Sequence, residues 1–175
     1  MDSNSRDTCT GPKSLPNDIR LVALDFDGVL TNNKVIVDQD GKESVQCDRS
    51  DSLGIEIISR AGVEVIVISK ERNDVVLKRC EKIGIECHHG IDEKLDLLDK
   101  LVKKRGIRMS QVCFMGNDRN DVECMSEVGY SFAPNDAWQE AIDCADFVTN
   151  RTGGNGAVRE MCEIIELSLS RKRVG

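Results

Sequence analysis

No run of 18 consecutive apolar residues occurs in the 175-residue chain, so no membrane-spanning helix is expected. Residues 1–17 hold no apolar stretch, which argues against a secretory signal. There is no C-x-x-C pair, no internal repeat and no low-complexity segment. Without paired cysteine spacing, the common zinc and redox frameworks are excluded. Positive charge is the minority sign, with 24 Lys and Arg against 31 Asp and Glu. A net charge of −7 argues against nucleic acid or an anionic membrane as partner.

Eight cysteines are present, scattered through apolar periodic segments. A chain of this length needs no disulfide staples, so reduced, buried thiols in a cytoplasmic protein are expected. Cys87-His88-His89 has no matching second half and reads as a strand end. One domain is expected from length, composition and charge. We place it at residues 19–170, after a polar lead or linker over 1–18 and before a basic tail over 171–175, either a solvated terminus or a partner contact.

Apolar runs and helical periodicities alternate along the chain. Strands are expected at 19–25, 63–68, 85–88, 111–115, 130–133 and 146–149. Helices are expected from a cap at Ser50 or Asp51 to Arg60, then at 73–83, 92–105, 118–128, around Trp138, and at 156–170. Between the first strand and first helix, Gln39-Asp40-Gly41 marks a hairpin joining 34–38 to 43–47. Such alternation implies βαβ units around a parallel sheet.

The chemistry lies at the strand ends. Leu21-Val22-Ala23-Leu24 breaks at Asp25-Phe26-Asp27-Gly28. That places two carboxylates at the carboxyl end of a buried strand, where open α/β sheets bind ligands. The charge calls for a cation, and oxygen-only ligation suits Mg²⁺. Ser69 follows a second apolar run. Its hydroxyl suits either a phosphoryl oxygen or a helix cap. Lys94 stands in a first helical turn, where a cation opposes the helix dipole, so a role in neutralising phosphate gains weight. Gly116-Asn117-Asp118-Arg119-Asn120-Asp121 follows a third apolar run and offers oxygen ligands, although a helix cap uses the same residue types. The Gly153-Gly154-Asn155-Gly156 turn could meet an anion or be a plain loop.

As an ordered set, D-x-D-G-V, Ser, Lys and G-N-D-x-x-D resemble the haloacid dehalogenase superfamily of phosphotransferases, over residues 19–165. The resemblance implies a Rossmannoid three-layer α/β/α domain with a central parallel sheet and a hairpin flap after strand one. Spacing leaves no room for a cap domain. It further implies Asp25 as nucleophile, Asp27 as general acid and base, and Ser69 and Lys94 as phosphoryl ligands. Mg²⁺ would be held by Asp25, the Asp27 carbonyl and the fourth motif (Asn117, Asp118, Asp121). Relatives usually carry Asp at the Asn117 position, so either metal affinity falls, with Asp118 or Asp121 compensating, or activity is lost.

Segments 28–32, 50–55, 145–149 and 153–160 are similar to the capless branch acting on eight- and nine-carbon sugar acids. Within them Thr31, Asn32 and Asp51 are implied substrate contacts. Those relatives are tetramers whose hairpins reach a neighbour's site. The residues matching Glu71, Arg79 and Lys82 contact nonulosonate 9-phosphates from an adjacent subunit, whereas octulosonate 8-phosphate enzymes typically have a basic residue at the Glu71 position. The first expectation is therefore a nonulosonate 9-phosphate phosphatase, and the second an octulosonate 8-phosphate phosphatase. The third is an oligomerisation module like the C-terminal part of acylneuraminate cytidylyltransferases.

Overall fold

The computed structural model describes residues 13–171. Strand β1 (Leu21–Leu24) is buried along its length. It runs parallel to both β4 (Glu64–Ile68) and β6 (Val112–Met115). Strand β5 (Glu86–His88) lies outside β4, and β7 (Tyr130–Ala133) and β8 (Phe147–Val148) lie outside β6, all in parallel. The six-stranded order is β5-β4-β1-β6-β7-β8.

Because strand side chains alternate between faces, each apolar run feeds two cores. Val22 and Leu24, Val65 and Val67, and Cys113 and Met115 face one side. There they meet α1 (Arg49–Arg60), α2 (Val75–Ile83) and α6 (Ala157–Arg171). Leu21 and Ala23, Ile66 and Ile68, and Val112 and Phe114 face the other. That side is covered by α3 (Lys94–Lys104), α4 (Val122–Glu127) and α5 (Gln139–Cys144). The result is the expected three-layer α/β/α domain, with no cap among the described residues.

Strands β2 (Thr31–Val37) and β3 (Glu43–Cys47) pair antiparallel as a separate hairpin. β2 starts three residues before the expected position because Thr31 already pairs with Cys47. Helix α1 is capped by Asp48, whose Oδ1 accepts from Ser50 N at 2.7 Å, not by Ser50 or Asp51. Asp51 instead turns inward and accepts from Arg159 N of α6 at 2.9 Å. The chain engages the domain before the expected boundary at residue 19. Lys13 Nζ donates to Val128 O at 3.0 Å, and Leu15 packs against the first core. Residues 1–12 and most of the basic tail lie outside the described residues.

The seven described cysteines are all free; Cys9 lies outside that range. No helix among the described residues is long and apolar enough to cross a membrane.

Candidate active site

From β1 the chain continues to β4 and β5 on one side, while β6 to β8 build outward on the other. The reversal falls between β1 and β6, where such sheets leave a crevice at their carboxyl ends. Asp25 follows β1 there and is held by its own N–H, which donates to Met115 O at 3.0 Å. The next residues form a tight turn in which Leu30 N and Thr31 N both donate to Phe26 O. Phe26 is buried, so aromatic packing beneath the turn fixes the direction of both carboxylates.

Thr31 is fully buried, and its hydroxyl organises this turn. Oγ1 accepts from Gly28 N and from Asn33 N, each at 3.2 Å, and donates to Asp27 Oδ1 at 3.3 Å. Thr31 is thus a support for Asp27 and not a lining residue, against the expectation that it contacts substrate. Its neighbour Asn32 is turned toward the hairpin, where Nδ2 donates to Gln46 Oε1 at 3.4 Å. Asn33, which sequence reasoning passed over, lines the pocket instead, at a left-handed φ of 59°.

Lys94 opens α3 and is almost entirely buried. Its Nζ donates to Asp25 Oδ1 and to Asp121 Oδ1, both at 2.7 Å. This contact explains why a cation tolerates the start of a helix. Two buried carboxylates are worth more to it than the adverse dipole. Burial disfavours the ammonium, but Asp25 and Asp121 outweigh that and hold its pKa above the usual lysine value. Burial, and then the Asp121 carboxylate, push Asp25 upward, with Lys94 opposing. Asp27 is also raised, first by burial, while the Thr31 hydroxyl pulls it down.

The fourth motif follows β6. Asp121 is fully buried, and its Oδ2 accepts from Asn117 N at 3.0 Å and Asp118 N at 3.3 Å. Asp118 caps the short turn after it, with Oδ1 accepting from Arg119 N at 2.7 Å. A Cβ on Gly116 would fall 2.3 Å from that of Asp121, so only glycine lets the loop close this tightly.

Ser69, at the end of β4, is buried, and its Oγ accepts from Glu71 N at 3.1 Å. Helix α2 begins only at Val75, so Ser69 is not its cap. The Gly153-Gly154 loop is a structural brace. Gly153 N donates to Asp136 Oδ1 at 2.8 Å and Gly154 N to Val29 O at 3.0 Å, which leaves neither amide for an anion.

These groups border a pocket of about 450 Å³. Asp25, Asp27, Ser69, Asn117, Asp118 and Glu71 line it, together with Lys70, Arg72, Asp92, Asn33 and Asn120. The last five were not singled out from sequence. For Lys70 and Arg72 the available signal was two basic residues two and four positions past the end of β4. Arg79 and Lys82 do not reach this pocket within one chain. They border a second groove between α1 and α2, also about 450 Å³. Arg79 Nη2 donates there to Asp48 O at 3.2 Å and Ser52 Oγ at 2.8 Å. Asp51 is enclosed between α1 and α6, with Oδ2 lacking a partner.

Whether a divalent cation fits is a question of donors. Asp25 and Asp121 supply buried carboxylate oxygens, Asn117 an amide oxygen, and Asp118 a half-buried carboxylate. All are hard oxygen ligands of the kind Mg²⁺ takes. No group of three or more His, Cys, Asp or Glu poised to hold a metal occurs among the described residues.

The profile of the family described as haloacid dehalogenase-like hydrolase matches residues 66–161. A second finding has the same direction. The chain is 35% identical over 167 residues to the 3-deoxy-D-manno-octulosonate 8-phosphate phosphatase KdsC of Escherichia coli (strain K12), covering 92% of this chain and 89% of the relative. The chain belongs to the haloacid dehalogenase-like hydrolases. Among solved structures of this family, it is similar to the octulosonate 8-phosphate phosphatase of Moraxella catarrhalis in complex with magnesium, phosphate and KDO. That likeness has a TM-score of 0.85, 31% identity, and coverage of 90% of this chain and 91% of that one. The cobalt-bound enzyme of Haemophilus influenzae gives a TM-score of 0.84 at 30% identity, covering 90% and 93%. The chain is also 34% identical over 158 residues to N-acylneuraminate cytidylyltransferase B of Danio rerio, spanning 88% of this chain but 37% of that protein. Family and relatives together bear out the expected phosphomonoesterase class.

Proposed function

We propose that the chain is a Mg²⁺-dependent phosphatase of a 3-deoxy sugar-acid phosphate, with the eight-carbon octulosonate 8-phosphate as its substrate. The observation that carries the chemistry is the buried Asp25–Lys94–Asp121 arrangement beside Asp27. Near-full-length relatives and structural neighbours named as octulosonate 8-phosphate phosphatases favour the eight-carbon ester over the nine-carbon ester that the sequence suggested first.

Asp25 Oδ attacks phosphorus, and the bond to the sugar oxygen breaks. Asp27, whose pKa burial raises from its ordinary value, gives its proton to that oxygen and is oriented for it by the Thr31 hydroxyl. Asp27 then takes a proton from water, which attacks the aspartyl-phosphate and frees Asp25. Lys94 and Ser69 hold phosphoryl oxygens through these steps. Asp25, the Asp27 carbonyl, Asn117 and Asp121 or Asp118 would hold Mg²⁺, which when bound offsets the repulsion between carboxylate and phosphate.

A nine-carbon substrate is the second reading. Glu71, which lines the pocket, favours it, as does the similarity to the cytidylyltransferase. In that reading Arg79 and Lys82 act on a neighbouring copy's site within a homotetramer. The exposed apolar strand of Val35, Ile36 and Val37 supports association between copies. Should the domain serve only to assemble such a synthetase, turnover would be absent.

Phosphate release from octulosonate 8-phosphate and nonulosonate 9-phosphate, measured side by side with Mg²⁺, tests the proposal. Turnover of the eight-carbon ester that Asp25→Asn abolishes supports it. Preference for the nine-carbon ester moves the assignment to the second reading, and no turnover of either overturns both.

A further inference from the structure

We infer that Arg72 is the substrate-binding cation that receives the sugar-acid carboxylate within its own subunit, taking it in exchange for Asp92. This rests on the sugar-acid reading above and names the residue that would recognise the acid.

The pocket is heavily acidic, yet its substrate is an anion at both ends. Asp25, Asp27, Glu71, Asp92 and Asp118 all border it. Lys94 lies beneath this floor against Asp25 and Asp121, at the phosphoryl end of the pocket and not at its mouth. The exposed cations on the described lining are Lys70 and Arg72. Arg79 of the same chain does not compete, since it borders the other groove, where its Nη2 donates to Asp48 O and Ser52 Oγ.

Arg72 has a fixed base and an exposed head. Its N–H donates to Glu71 Oε1 at 2.6 Å, and the loop carrying it is tied to the β5–α3 loop by Gly90 N to Glu71 O at 2.7 Å and Ile91 N to Ser69 O at 3.0 Å. Its aliphatic stem passes over Gly90, where a Cβ would lie 3.6 Å from Cγ. Beyond that stem Nη2 donates to Asp92 Oδ2 at 3.0 Å, although both side chains are more than half exposed. Lys70 stands farther from the same carboxylate, at 3.9 Å. Arg72 therefore already binds a carboxylate across the pocket mouth through one nitrogen, and a guanidinium can offer a carboxylate a second. An exposed pair of this kind is weak, so a substrate carboxylate that also gains binding from its phosphate can displace Asp92. The exchange leaves Asp92 solvated at the rim and not buried without a partner.

The test compares wild type, Arg72→Gln and Arg72→Lys on octulosonate 8-phosphate and on mannose 6-phosphate, a sugar phosphate without a carboxylate. Arg72→Gln should raise KM for the acid ester about tenfold more than KM for mannose 6-phosphate, with kcat for the acid ester little changed. Arg72→Lys should recover part of that loss. Free octulosonate, as product inhibitor, should bind Arg72→Gln correspondingly more weakly. Equal loss on both esters would mean that Arg72 serves the phosphoryl group, and no loss on either would mean that it serves neither; both outcomes overturn the inference and leave the sugar-acid reading standing. Wild type inactive on the acid ester overturns that reading, and the inference with it.

Discussion

The carboxamide of Asn117 lies directly over Gly28. A Cβ at Gly28 would fall 1.9 Å from Asn117 Nδ2, and Gly28 itself has φ of +80°. The turn carrying the two acids and the loop carrying the fourth motif are thus fitted to each other through a missing side chain. Gly28→Ala faces a left-handed backbone worth roughly 1–2 kcal/mol and forces Asn117 aside. A displacement of that kind is expected to lower kcat/KM about a hundredfold while circular dichroism still reports a folded domain. Near-normal phosphate release by the variant would show that the fit is not needed.

Asn117 puts a neutral amide among the candidate metal donors. Replacing it with aspartate adds a charge without adding bulk, so Gly28 still accommodates it. We expect Asn117→Asp to tighten Mg²⁺ binding about tenfold, read by calorimetry and by the Mg²⁺ dependence of turnover. Unchanged binding would remove residue 117 from the set of ligands.

Apolar runs ending in acids located the sheet and its functional edge from sequence, because a buried strand and a polar strand end obey simple burial rules. Asp25, Asp27, Ser69 and Asn117 could be placed at one pocket for that reason, whereas Glu71 was singled out only through the family resemblance. Thr31 and Asn32 were misread because a turn decides which side chain faces in. The bulge between Thr31 and Val35 sends Asn33 into the pocket and Asn32 away, and no periodicity encodes that. Asp51 was misread for a different reason: its partner, Arg159, is 108 residues away. Lys70, Arg72 and Asp92 come together only through the packing of two loops, which sequence spacing does not reveal.

Lys94 is the one charge that two buried acids share. Its removal leaves Asp25 and Asp121 facing each other without a counterion, which costs roughly 3 kcal/mol in a buried site. Lys94→Met should therefore unfold at lower urea than wild type in EDTA, and Mg²⁺ should narrow the gap by supplying positive charge. Phosphate release should be lost in either buffer. Equal stability in EDTA would show that the carboxylates are protonated there and need no partner.

Glu71 holds the head of the α2 loop, with Oε1 accepting from Arg72 N at 2.6 Å and Asn73 N at 2.7 Å. Its charge also faces the pocket. Glu71→Arg should shift the kcat/KM ratio toward the eight-carbon ester, by about tenfold if one charged contact decides it. An equal fall on both esters would mean that Glu71 only shapes the loop.

Asp51 sets a pH dependence of stability that is separate from catalysis. Burial lifts its pKa from 3.8 to about 6, against the bond from Arg159 N that lowers it. The folded protein therefore holds this proton more tightly than the unfolded chain. The resulting stabilisation is full below pH 4 and is lost as pH rises through 6, a difference of roughly 3 kcal/mol for this group. An asparagine side chain at this position would keep an oxygen for Arg159 N and carry no charge to desolvate. Asp51→Asn should accordingly match wild type at pH 4 and exceed it in urea midpoint at pH 7, so that the difference between the two proteins grows across that interval. A variant less stable than wild type at pH 7 would mean that Asp51 is ionised there and held by a cation, with Arg79, whose charge lowers the Asp51 pKa, the candidate.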